Sequence, residues 1–113
     1  MVSDNMTNFL CEYDEYGPGM GFPSIKEFFN KKPYDGLDMI ADYLENEGKT
    51  TLVSLQIDTD FFTGENLPFS KSGMTDGEYS WMRSLAYYVR NYNLRLPEEF
   101  EEKVIKFYKI KEK

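Results

Sequence analysis

An α+β fold, with a small antiparallel sheet of two to four strands packed with about four helices, is what this 113-residue chain predicts from three observations. Segments near both ends repeat apolar residues at helical spacing, the middle alternates with period two, and Asp76-Gly77 marks a tight hairpin. The order helix, helix, strands, helix, helix segregates the sheet from the helices along the chain.

The elements follow in order. Residues 1–15 are polar and aperiodic apart from Phe9 and Leu10, which predicts a loosely ordered N-terminal arm. Gly17-Pro18-Gly19-Met20-Gly21 is a loop. Ser24-Ile25-Lys26-Glu27 has the spacing of a capping box, and Ile25, Phe28 and Phe29 place a short helix over 24–31, stopped ahead of Pro33. From Asp35, Leu37, Ile40, Ala41 and Leu44 recur at i, i+3, i+4, i+7, and Gly48 is placed to end this second and most acidic helix.

The period then changes. Residues 50–57, TTLVSLQI, put Val53, Leu55 and Ile57 on one face of a strand. Thr63-Gly64-Glu65-Asn66 reads as a turn, and Asp76-Gly77 joins SKSGMT to EYSW. Ser80 is placed to cap a third helix carrying Met82, Leu85, Ala86 and Val89 and ending near Asn93. Pro97-Glu98-Glu99 starts a fourth, because proline suits the first helical position and acids complement the positive end of the dipole. Phe100, Val104, Phe107 and Tyr108 form its apolar stripe, with lysines toward its C-terminal end.

Length and composition fit a single domain, 1–113. An apolar fraction of 41%, including 17% aromatics, supplies enough core material to exclude disorder by composition. No stretch approaches the ~20 apolar residues that span a bilayer. The start MVSDNMTNFL lacks a basic segment followed by an apolar one, so the cytoplasm is the expected compartment.

The chain has no histidine and one cysteine, which removes most side chains that do acid–base, nucleophilic and metal chemistry near neutral pH. A non-enzymatic protein without a cofactor is therefore expected. Net charge is −7, while residues 81–113 carry eight bases against five acids. A sustained basic face is missing, which argues against nucleic acid as a partner.

Candidate sites are few. The glycine loop at 17–21 lacks the preceding strand and the following lysine and hydroxyl residue of a phosphate cradle. Asp58, Asp60 and Glu65 cluster after the strand, where oxygen ligands are able to hold Mg²⁺ or Ca²⁺, although the spacing fails the EF-hand pattern and solvated loop acids explain it as well. Arg83 and Arg90 lie seven residues apart on the third helix and, with Tyr87, form a candidate patch for an acidic group. The plainer alternative pairs these arginines with acids of the second helix. A helix-turn-helix is ruled out by the glutamates that open the last helix. Cys11 has no base to activate it, and acidic neighbours raise its pKa.

The stretches TDGEYSWMRSLAYYVRNYNLRLPEEF (75–100) and GFPSIKEFF (21–29) resemble small uncharacterised bacterial proteins, a likeness that spans most of the chain. By type, not by motif, the chain also looks like the immunity proteins that accompany polymorphic bacterial toxins. The resemblance implies an acidic inhibitor that covers the basic active-site surface of a toxin; it carries over no functional residue. Electrostatic steering makes Asp38, Asp42, Glu45 and Glu47 the expected contact surface, with Tyr43 as an aromatic anchor. Two other readings are a structural or adaptor subunit of a bacterial or phage assembly, and a small divalent-metal-binding domain built on Asp58, Asp60 and Glu65.

Overall fold

A computed structural model describes residues 8–111. Among them a four-stranded sheet and three α-helices make a small α+β fold. The strands are β1 (Asn8–Phe9), β2 (Lys49–Thr59), β3 (Asn66–Thr75) and β4 (Tyr79–Met82), in the spatial order β1-β4-β3-β2. The helices are α1 (Leu37–Asn46), α2 (Leu85–Tyr92) and α3 (Glu98–Lys111). The sheet is mixed, because β1 runs parallel to β4 while the two hairpins are antiparallel.

Three sequence expectations give way here. Residues 24–31 form only a 3₁₀ turn, Ile25–Phe28. Ser24 does accept a hydrogen bond from Lys26 N–H, but the carboxylate that completes the cap is Glu15, which receives the Ile25 N–H at 2.8 Å, and not Glu27. Ser80 is not the cap of the third predicted helix, because Ser80, Trp81 and Met82 belong to β4 and that helix starts at Leu85. The expected arm is docked from residue 8 onward. Asn8 and Phe9 pair with Tyr79 and Ser80, and Leu10, Cys11 and Tyr13 are buried. Its first seven positions lie outside the described residues.

One apolar core joins the helices to the inner strands. Ile40 and Leu44 of α1, Leu85, Tyr88 and Val89 of α2, and Phe100 and Val104 of α3 meet Met74 of β3 and Trp81 of β4. Trp81 is fully buried and its indole N–H donates to the Leu44 carbonyl at 3.1 Å, which satisfies the one polar atom the ring brings inside. Gly48 lies against that ring, so close that a Cβ would stand 2.8 Å from Trp81 Cζ2. The end of α1 is thereby turned directly into β2.

The Asp76-Gly77 hairpin forms as the sequence predicts, with Gly77 in the left-handed region at φ 99°. Asp76 holds it. Its Oδ1 accepts the backbone N–H groups of Glu78 and Tyr79, and its Oδ2 accepts the Tyr43 hydroxyl and the Lys103 ammonium. One buried carboxylate thus ties the β3–β4 turn to α1 and α3.

Candidate functional site

β2 is one of the two edge strands of the described sheet, and it is bare. Its extensive contacts are with β3, and no helix covers it. From Lys49 to Ile57 every residue is exposed, although the segment is rich in β-branched and apolar residues and carries Lys49 as its one charge. Leu52 is 73% exposed, Val53 67%, Leu55 100% and Ile57 49%. The alternation was readable in the sequence, but alternation implies one buried face, and here neither face is covered.

The ladder to β3 is irregular. Val53 pairs with Ser72 and Ile57 with Ser70, so three β2 residues oppose one on β3, and a further shift falls at Thr51. Such bulges bend an edge and interrupt its outward row of hydrogen-bonding groups. Leu55 stands in the larger bulge. What this strand offers a partner is therefore its side chains more than its backbone.

Both ends of β2 are held firmly. At the N-terminal end Gly48 abuts Trp81, as above. At the C-terminal end the chain turns at Asp60, which is 1% exposed. Asp60 Oδ2 accepts the hydroxyls of Tyr87 at 2.7 Å and Tyr92 at 2.6 Å, and Oδ1 accepts the N–H groups of Phe62 and Thr63. Burial opposes ionisation, yet these donors outweigh it and hold the carboxyl below its usual range. The Tyr87 hydroxyl is pushed up to about 12, first by its bond to Asp60 and then by burial. Around this carboxylate Phe29, Phe61, Phe62, Tyr88 and Tyr92 stack and edge against one another, with Phe61 lying flat on Tyr88 at 5.4 Å.

That arrangement reassigns the proposed metal ligands. Asp60 is committed to tyrosines and backbone. Asp58 is buried at the end of β2, with Oδ1 accepting the Thr59 N–H, and Glu65 is exposed and meets Asp60 only through its backbone carbonyl. The described residues bring together no group of three or more acidic, histidine or cysteine side chains able to hold a metal ion.

The acidic surface expected on α1 is partly built. Asp38, Asp42 and Glu45 line its exposed side, but Arg90 of α2 reaches across to all three, at 3.7, 2.5 and 2.9 Å. The plainer alternative, arginine pairing with α1 acids, holds for Arg90. Glu47 is half-buried at the end of the helix. Tyr43 is not a surface anchor: it is 4% exposed, its ring packs on Phe100 and Phe107, and its hydroxyl is spent on Asp76.

The second patch does come together. Arg83, Tyr87 and Arg90 line one cleft of about 410 Å³ with Glu45 of α1 and Pro68 and Phe69 of β3. Two of the three are already engaged, Tyr87 with Asp60 and Arg90 with the acids. Arg83 is exposed and stacks its guanidinium on Phe69, 4.8 Å from the ring centroid. The cleft also places the acidic C-terminal part of α1 beside the base of the β2–β3 ribbon.

Cys11 is buried. The Met82 N–H donates to its sulfur at 3.3 Å, and burial pushes the thiol up to about 12, with Asp58 adding a smaller electrostatic contribution. The cause is desolvation first, not the acidic neighbours that the sequence suggested. No described helix is long and apolar enough to cross a membrane. Compared with protein-family models, curated proteins and solved structures, the chain matches none of them.

Proposed function

We propose that this chain is a non-catalytic protein-binding module of the immunity or inhibitor type, which grips a bacterial toxin domain through the bare apolar ribbon of β2 and covers its active site. The observation that carries the reading is the exposure of Leu52, Val53, Leu55 and Ile57 on a strand anchored at both ends. A strand whose backbone is tied down at both ends suits an interface, since little backbone freedom remains to be lost when its exposed apolar side chains dock.

The acidic character of the molecule supports a basic partner. With a net charge of −7, encounter with a cationic surface is favoured, and the α1 acids that surround Arg90 keep a negative excess next to the ribbon. Long-range attraction then sets the rate of encounter, and the β2 side chains set the lifetime of the complex.

Protection is the test. The product of the adjacent reading frame is expressed with and without this chain, and growth arrest and complex formation are scored. Relief by the native chain and its loss in Leu55→Asp support the reading. Absence of both relief and a complex overturns it. A second reading, a structural or adaptor subunit of a larger bacterial or phage assembly, is favoured by the same uncovered strand and predicts co-purification with assembly components instead of protection.

A further inference from the structure

We propose that the small cavity at the C-terminal end of β2 receives the guanidinium of one arginine side chain of the partner, with Asp58 as its counter-charge. The inference rests on the reading of β2 as a docking surface and names what the end of that strand recognises.

Asp58 is a buried acid with little to hold it. Asp60 and Asp76 each accept two backbone N–H groups and two side-chain donors. Among the described residues Asp58 accepts one hydrogen bond, from the Thr59 N–H to Oδ1, although it is 5% exposed. Taking a carboxylate out of water is costly unless donors or a cation replace its hydration. No fully enclosed side-chain oxygen or nitrogen among the described residues lacks a hydrogen bond, so Oδ2 is not sealed in. Asp58 lines a cavity of about 140 Å³ with Glu15, Tyr16, Phe61, Lys71 and Met82. Its charge is felt on that side of the strand: burial first, and then surrounding charges with Asp58 among them, raise the Tyr16 hydroxyl well above its usual range.

Size and walls select the ligand. Drug-sized ligands and cofactors occupy clefts of ~300 Å³ and more, so this cavity takes the end of a single side chain. Tyr16 and Phe61 meet edge to face at 4.9 Å, and Phe61 lies flat on Tyr88, which fixes two aromatic walls. A cation set between aromatic rings and a buried carboxylate gains from both, and the planar, weakly hydrated guanidinium suits such a place better than an ammonium. The described residues do not supply that cation: Lys71 lines the cavity without an ion pair to Asp58. Glu15 is spent on Ser24 and the Ile25 N–H. A metal ion would find no cluster of three ligating side chains among the described residues. Asp58 follows directly on Ile57, the last exposed apolar residue of the ribbon, so a basic partner laid along β2 brings its cation to the strand's end.

Nuclear magnetic resonance titration of the isotope-labelled full chain tests it, with N-acetyl-arginine amide, N-acetyl-lysine amide and the uncharged isostere N-acetyl-citrulline amide as probes. The Met82 methyl and the backbone N–H groups of Phe61 and Lys71 report on the cavity. The expected result is a saturable shift of these signals, with the arginine amide binding about tenfold or more tighter than the citrulline amide, because the neutral probe leaves the carboxylate without a counter-charge. The lysine amide should bind more weakly than the arginine amide. Asp58→Asn, its fold checked by circular dichroism, should erase the preference for arginine over citrulline. Lys71→Gln leaves Asp58 in place and removes a like charge from the cavity wall, so it should tighten arginine binding several-fold. The inference is overturned by no saturable shift, by equal binding of the arginine and citrulline amides, or by tighter binding of the lysine amide. A preference that survives Asp58→Asn, Lys71→Gln without a gain, or a response to Mg²⁺ in place of the amides overturns it as well. The protection assay separates the two ideas. A chain that protects without telling arginine from citrulline loses this inference alone, and one that binds the arginine amide without protecting loses the proposed function alone.

Discussion

Two aspartates do the same work at opposite ends of the sheet. Asp60 and Asp76 each accept two backbone N–H groups on one oxygen and two side-chain donors on the other. Removing either leaves several buried donors without an acceptor, a large loss because each forfeits its desolvation without return. Asp60→Ala should lower the unfolding free energy by about 3 kcal/mol, measured by urea titration. Both carboxyls have folded-state pKa values below the ordinary 3.8, so their stabilisation is complete above about pH 5 and is lost as pH falls through the lowered values. The urea midpoint should stay level from pH 6 to 5 and drop below about pH 4, and Asp60→Asn should flatten that drop. Cys11 gives a third expectation. Buried, with its pKa pushed up to about 12, it should not react with a disulfide reagent at pH 8 until the chain opens, and should then react fully in denaturant.

At the scale of elements, the junction of α1 and β2 depends on Gly48. Alanine there would bring a Cβ to 2.8 Å from a fully buried Trp81 ring and 3.2 Å from the Thr75 carbonyl, neither free to move. Gly48→Ala should cost about 2 kcal/mol, seen as a lower thermal midpoint. Arg90 joins α2 to α1 in the open, so Arg90→Ala should change stability by no more than about 1 kcal/mol, and by less in 1 M salt. The three α-helices, β2 and the Asp76-Gly77 hairpin were legible in the sequence because each is set by local periodicity or by a turn dipeptide. The rest depended on distant partners. Glu15 took the capping role that spacing gave to Glu27, and Trp81 extended the sheet past Ser80 because its indole needed the core near Leu44. Tyr43, placed among surface acids by its neighbours, turned inward since Asp76, 33 positions on, offered its hydroxyl a partner. The acidic side of α1 could be read from helical spacing; that Arg90 would sit among those acids needed the helix packing.

For the whole molecule, stability and docking reside in different places. Core residues such as Ile40, Leu85 and Phe100 hold the fold, while the ribbon contributes exposed apolar surface that no described helix shields. Leu55→Asp, at a fully exposed position, should leave the unfolding free energy within about 0.5 kcal/mol of the native chain while removing protection, a separation visible by comparing urea curves with the protection assay. The interrupted pairing along β2 carries a last consequence. A neutral, β-branched hexapeptide is the raw material of amyloid, and the run from Thr50 to Ile57 qualifies on composition. Kinked twice and fixed at each end, it makes a poor template for stacking in the native protein. The isolated octapeptide should form thioflavin-binding fibrils at concentrations where the intact chain stays clear, and acid that loosens the Asp60 turn should bring the chain toward the behaviour of the peptide.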